Sequence, residues 1–129
     1  MTTLDPIEEM IGMPLEKMRG GHLARYITYY HRESNGIHLV DPPGHIEVSA
    51  LNGFKRHYGA DRSAAILRFL FLEKGGTYDV WGETQTIEHR HFQSSMRRWM
   101  NTIDIELQKR SLVKQADEDD DDLVFATEL

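Results

Sequence analysis

Apolar residues fall along this chain in two rhythms, and the changes from one to the other mark its elements. Leu23, Tyr26, Ile27 and Tyr30 recur at i, i+3, i+4 and i+7, one stripe of a helix from His22 to about Glu33. Ser34-Asn35-Gly36 supplies the turn chemistry to end it. From Ala64 to Leu72 the chain is apolar on nearly every side, broken by Arg68. That pattern predicts a central core helix over Arg62 to Lys74, capped by Asp61 and stopped by Gly75-Gly76. The strongest periodicity comes last. Phe92, Met96, Trp99, Met100, Ile103 and Leu107 share one face, which predicts the longest helix, from Thr84 to about Arg110.

Shorter signals fill the gaps. Asp5-Pro6 opens a short helix, with Asp as cap, Pro at the first helical position and Glu8 and Glu9 near its positive end. Ile37-His38-Leu39-Val40 and His45-Ile46-Glu47-Val48 are β-branched runs on either side of Asp41-Pro42-Pro43-Gly44. They predict a β-hairpin that buries Ile37, Leu39, Ile46 and Val48. Ser49 to Tyr58 reads as a helix weakened by Gly53, and Thr77 to Trp81 as either a strand or a helical turn. The expected fold is mainly α (α+β): about five helices around the 64–72 segment, with one small hairpin. A compact domain would span residues 1–114 and a tail residues 115–129.

Composition then narrows the class. With 129 residues, 40% of them hydrophobic, the chain has room for one domain with a core of its own. It has no cysteine, which removes disulfides, thiolate zinc sites, iron–sulfur clusters and cysteine nucleophiles, and fits a reducing, cytoplasmic setting. No basic stretch precedes an apolar run at the start, so no signal peptide is expected, and no apolar run is long enough to span a bilayer. The net charge of −6 hides an asymmetry. Seven of the 21 acids lie at or beyond Asp117 with no base among them, which leaves 14 acids against 15 bases in the body.

Candidate chemistry is sparse. Arg90, Gln93, Arg97, Arg98 and His89 would face outward from the start of the long helix, and such side chains hydrogen-bond bases and phosphates. The stretch from Gly75 to Phe92, with a double glycine, a short element around Tyr78 to Gly82 and a polar helix after it, resembles winged-helix regulators over about a quarter of the chain. That resemblance implies a helix-turn-helix and DNA contact. Lys55, Arg56 and Arg62, interleaved with Phe54 and Tyr58, form a second basic and aromatic cluster suited to a phosphate backbone.

Tyr26 and Tyr30, a helical turn apart, echo the paired nucleophiles of replication-initiator nucleases, but the histidine pair those enzymes need is missing. Glu88 and His91 could form one edge of a metal site and would need further ligands. No catalytic residue, metal or cofactor is assigned.

The tail places Leu123, Val124, Phe125 and Leu129 after its acidic run. It is similar in style to the acidic, hydrophobic-tipped tails of single-strand-binding proteins, which implies a protein partner. The expected function is that of a non-enzymatic accessory or regulatory protein. It would contact nucleic acid through the long helix and dock a partner through the tail. The alternative is a protein-interaction module (an adaptor, an inhibitor or a small subunit) with no nucleic-acid contact.

Overall fold

The computed structural model describes residues 4–80, 82–93 and 96–109. It is mainly helical, with five helices and one two-stranded antiparallel hairpin among those residues. In chain order these are α1 (Pro6–Ile11), α2 (Gly20–Tyr30), α3 (His45–Tyr58), α4 (Ala60–Leu67), β1 (Thr77–Val80), β2 (Glu83–Thr86) and α5 (96–109). The chain divides into one unit ending at Met96 and a second beginning at Arg97.

The first helix starts as its sequence dictates. Asp5 Oδ1 accepts the backbone N–H groups of Ile7 and Glu8, each at 2.8 Å, and Pro6 takes the position where a missing N–H costs nothing. Glu8 then folds back inside. It accepts N–H bonds from Asp5 at 3.2 Å and from Leu15 at 2.8 Å, and its Oε2 lies 3.4 Å from the Arg68 guanidinium. Arg68 also donates to Glu16 at 3.0 Å. Burial works against the Arg68 charge, but the Glu16 hydrogen bond and the carboxylates of Glu16 and Glu8 outweigh it and hold its pKa above the ordinary value. Arg68 and its carboxylates thereby tie the N-terminal turns to the core.

That core is built from the stripes read above. Leu23, Tyr26 and Ile27 of α2 and Ile66 and Leu67 of α4 are buried, as are Leu51 and Phe54 of α3. Beyond Leu67 and Tyr30 the helices widen into π-helical turns, Arg68–Glu73 and His31–Asn35. Widening turns Phe69, Leu70 and Phe71 inward together, and Phe71 meets the rings of Tyr26, Tyr30 and His31 edge-on. Leu72 is left exposed. Gly20 lets α2 approach α3 closely: its N–H donates to Asn52 Oδ1 at 2.9 Å, and a Cβ there would lie 2.7 Å from the Val48 carbonyl oxygen.

Two elements differ from the sequence reading. The β-branched runs around Asp41-Pro42-Pro43-Gly44 do not pair. Residues 37–44 form neither helix nor strand and bend at Asp41-Pro42, and the second run begins α3, which carries on through Tyr58. Ala50, Leu51 and Phe54 form a helical stripe that is buried, and this packing outweighs the β preference of Ile46 and Val48. The hairpin lies later, with Thr77 opposite Thr86, Tyr78 opposite Gln85, Asp79 opposite Thr84 and Val80 opposite Glu83. Gly82, at φ +82°, supplies the left-handed turn residue between the strands.

Of the helix expected from Thr84, Thr84–Thr86 belongs to β2 and His89–Phe92 forms a 3₁₀ turn, and α-helix is described over 96–109. Among the described residues of 75–92 no helix-turn-helix forms, since Thr77–Val80 and Glu83–Thr86 are strands, and the resemblance to winged-helix regulators fails at that point. Taken by itself, α5 buries Trp99, Met100 and Ile103 and exposes Arg97 and Arg98. No described helix is long and apolar enough to cross a membrane.

Leu67 and Leu70 are fully buried. Leu67→Ala or Leu70→Ala should each cost about 2–5 kcal/mol by opening a cavity. Gly20→Ala should cost about 1–3 kcal/mol, because its methyl group would press on a backbone carbonyl that cannot swing away. Urea melts measure all three, and unchanged midpoints would contradict this packing.

Candidate functional site

Within the first unit, the residues singled out by sequence fall in two places, one at the junction of α3 and α4 and one on the 3₁₀ turn. Lys55 and Arg56 lie in the last turn of α3. Lys55 Nζ donates to the Met18 carbonyl, so it serves the packing of α3 on the N-terminal turns. Arg62, in the first turns of α4, lies over the Tyr58 ring at 5.2 Å from its centroid. Arg90 is three-quarters exposed and bonds Glu88 at 2.8 Å, with Gln93 exposed nearby. From Ile46 to Arg56, α3 rises about 15 Å, which sets the basic end of this helix well apart from the end that meets Arg90. Arg97 and Arg98 are exposed on α5. Leu123, Val124, Phe125 and Leu129 lie outside the described residues.

His89 was expected on an outward face and is buried instead. The 3₁₀ turn that replaces the start of the long helix points its ring at α2. There Nε2–H is shared between the Ala24 carbonyl at 2.8 Å and Thr28 Oγ1 at 3.1 Å. The reverse contact comes from His31, fully buried in the π-helical turn that continues α2, whose Nε2–H donates to the Ile87 carbonyl at 2.6 Å. Its Nδ1 is then the acceptor, and the Asn35 amide donates to it at 3.0 Å. His91, also buried, accepts the Glu88 backbone N–H at Nδ1, 2.9 Å away. Ile87 and its neighbours are thus clasped to α2 by two imidazoles, and a third caps the turn that follows.

Burial pushes the His31 pKa below its ordinary value, against the opposing pull of the Ile87 carbonyl and Glu88. Burial, followed by the Arg90 charge, does the same to His91. Tyr26 is the other buried titratable group singled out by sequence. Its hydroxyl donates to Asp5 Oδ2 at 3.0 Å, and burial, reinforced by the Asp5 carboxylate, holds it firmly protonated. That is the setting of a structural phenol. Among the described residues, no group of three or more His, Asp or Glu side chains is placed to hold a metal ion.

The feature that sequence reasoning missed is a groove of about 200 Å³ on the outer side of this clasp. Leu39, Val40, Ile46 and Ala50 form its apolar part, and Glu47, Glu88, His89, Arg90 and Gln93 complete the lining. Val40 is 61% and Ile46 70% exposed, which is unusual for adjacent branched aliphatic residues. The signal was present in the Ile37–Val48 runs. It was read as a hairpin face, because nothing local says that the second run is helical. Compared with known proteins, the chain matches no family model, no curated protein and no solved structure.

The tautomers fix the sign of one pH effect. His31 and His91 are held neutral in the folded chain, while the unfolded chain takes up their protons near pH 6.5. Stability from these two sites is fully present above pH 6.5 and is lost as pH falls towards their lowered folded-state values. The melting temperature should therefore drop between pH 7.5 and 5.5, and drop less in His91→Asn, whose side-chain oxygen still accepts the Glu88 N–H. Equal pH dependence in both proteins would refute the assignment.

Proposed function

We propose that this chain is a protein-interaction module, and that its groove takes an apolar side chain from a peptide segment of a partner carrying Lys or Arg beside that anchor. The observation behind this reading is the pair of exposed branched residues, Val40 and Ile46, at the mouth of an apolar groove with a polar rim. The volume suits one leucine- or phenylalanine-sized side chain. Charge favours a basic partner. On the rim Arg90 is already bonded to Glu88, and the Glu47 carboxylate adds a further acid to the groove lining.

An accessory role on nucleic acid has less behind it. Arg56 lies in the last turn of α3, at the opposite end from the groove that Arg90 lines, and Lys55, Arg62 and Arg90 each have intramolecular partners. A phosphate approaching Arg90 would also meet the Glu88 carboxylate bonded to it.

The test is to pan a random peptide library on the full chain, with Ile46→Asp as the counter-selecting surface. Ile46 is the second residue of α3, so a new carboxylate there lies near the positive helix end and stability should change by less than about 0.5 kcal/mol. Enriched peptides should carry one large apolar residue next to Lys or Arg. Their affinity for Ile46→Asp and for Val40→Asp should fall about tenfold or more, the worth of one buried side chain. Peptides that bind wild type and variants alike, or a library with no enrichment, defeat the proposal. Binding of duplex or single-stranded DNA that survives Ile46→Asp and is lost when Arg56 and Arg62 become Ala would favour the nucleic-acid role instead.

A further inference from the structure

One wall of the groove is held from behind by imidazoles that serve only while uncharged. With Nε2–H committed to the Ile87 carbonyl, His31 presents the lone pair of Nδ1 to the Asn35 amide. A proton on Nδ1 would face the amide N–H. Turning the amide over would offer its oxygen, but would withdraw its nitrogen from the Gly75 carbonyl, 3.1 Å away. His91 has still less freedom. Its Nδ1 accepts a backbone N–H, that of Glu88, which cannot be turned over. Protonation there must break the bond that caps the 3₁₀ turn. Glu88, His89 and Arg90, three of the groove-lining residues, lie between these two fastenings.

Other described groups also face the pair. His31 meets the Tyr30 and Phe71 rings, and the charges that act on it are those of Glu88 and His89. His91 meets Glu88 and Arg90. Glu88 favours the charged form of both rings, but its carboxylate is bonded to Arg90, and for each ring burial is the larger influence.

We propose that residues 87–93 form a proton-operated gate. With His31 and His91 neutral the wall is clasped to α2 and the groove is complete, and protonation of the pair releases the wall and dismantles the groove. Any partner that requires the complete groove is then released as pH falls below the ordinary histidine range. Only this last consequence rests on the docking role proposed above. The gate itself can be read with no partner present.

The experiment is amide hydrogen exchange on the full chain at pH 7.5, 6.5 and 5.5, corrected for the intrinsic rate. Opening of 87–93 should change little between pH 7.5 and 6.5; below pH 6.5 it should become more populated by up to about tenfold per pH unit for one proton taken up, and up to about a hundredfold for two, while α4 keeps its protection. In the double variant His31→Gln, His91→Asn, whose amides keep the donor and acceptor without titrating, the opening should not depend on pH. Protection of 87–93 that is constant with pH, that is lost equally in the double variant, or that is lost uniformly along the chain would overturn the gate.

Should the double variant fail to fold, the Cε1–H resonances of His31 and His91 in the wild type decide. Midpoints below 6.5 that coincide with the opening support the gate, and midpoints at the ordinary value overturn it. A selected peptide measured at the same pH values separates the two readings. If the wall opens with acid and no groove-dependent peptide is found, the docking role fails and the gate stands.

Discussion

Helix α2 and the segment that follows the hairpin meet through hydrogen bonds as well as apolar contact. His31 reaches out to the Ile87 carbonyl, and His89 reaches back to the Ala24 carbonyl. These bonds span 56 and 65 residues of sequence, and each satisfies a buried polar group that would otherwise cost about 1–3 kcal/mol. Apolar packing would tolerate a shift of this segment along α2. Two directional bonds of opposite sense do not. The position of Ile87 in the core, the orientation of the hairpin strand leading to it and the turn that presents Arg90 all follow from this clasp.

The groove inherits its form from the same constraint. Its inner wall is the outer side of the clasped segment, and its opposite side is the first turns of α3 with the irregular chain that leads into them. Phe54 and Phe92, with ring centroids 4.9 Å apart, brace α3 against the 3₁₀ turn. The opening is thus bounded by two elements that are each anchored to the core, while Val40 and Ile46 remain at the surface.

Much of this fold was legible in the sequence. Asp5-Pro6, the stripe of α2, the apolar run of α4 and the inward positions Phe92, Met96, Trp99, Met100 and Ile103 were read correctly, because each is a local pattern with a local cause. The errors share a different cause. Ile46 and Val48 carry β-branched side chains, yet the helix they join is decided by Leu51 and Phe54, whose partners are distant in sequence. Thr84 to Phe92 continues a helical rhythm backwards from a true helix, but pairing of Thr77–Val80 with Glu83–Thr86 claims the first half of it. The groove needs both of these tertiary outcomes before it exists. His89, taken for a surface residue, could be placed inside only by knowing that Thr28 and the Ala24 carbonyl lie opposite.

The Glu8, Arg68 and Glu16 triad bears on inheritance. Glu8 is buried at one end of a chain of contacts through Arg68 to Glu16. Loss of Arg68 alone would strand a buried carboxylate, whereas loss of Arg68 together with a neutral residue at position 8 would leave only a packing problem. Single-step neighbours of this sequence at position 68 are therefore poor, and acceptable ones lie two steps away. Among descendants of this chain, positions 8 and 68 are expected to change together or not at all, while Glu16, half in water, can drift on its own.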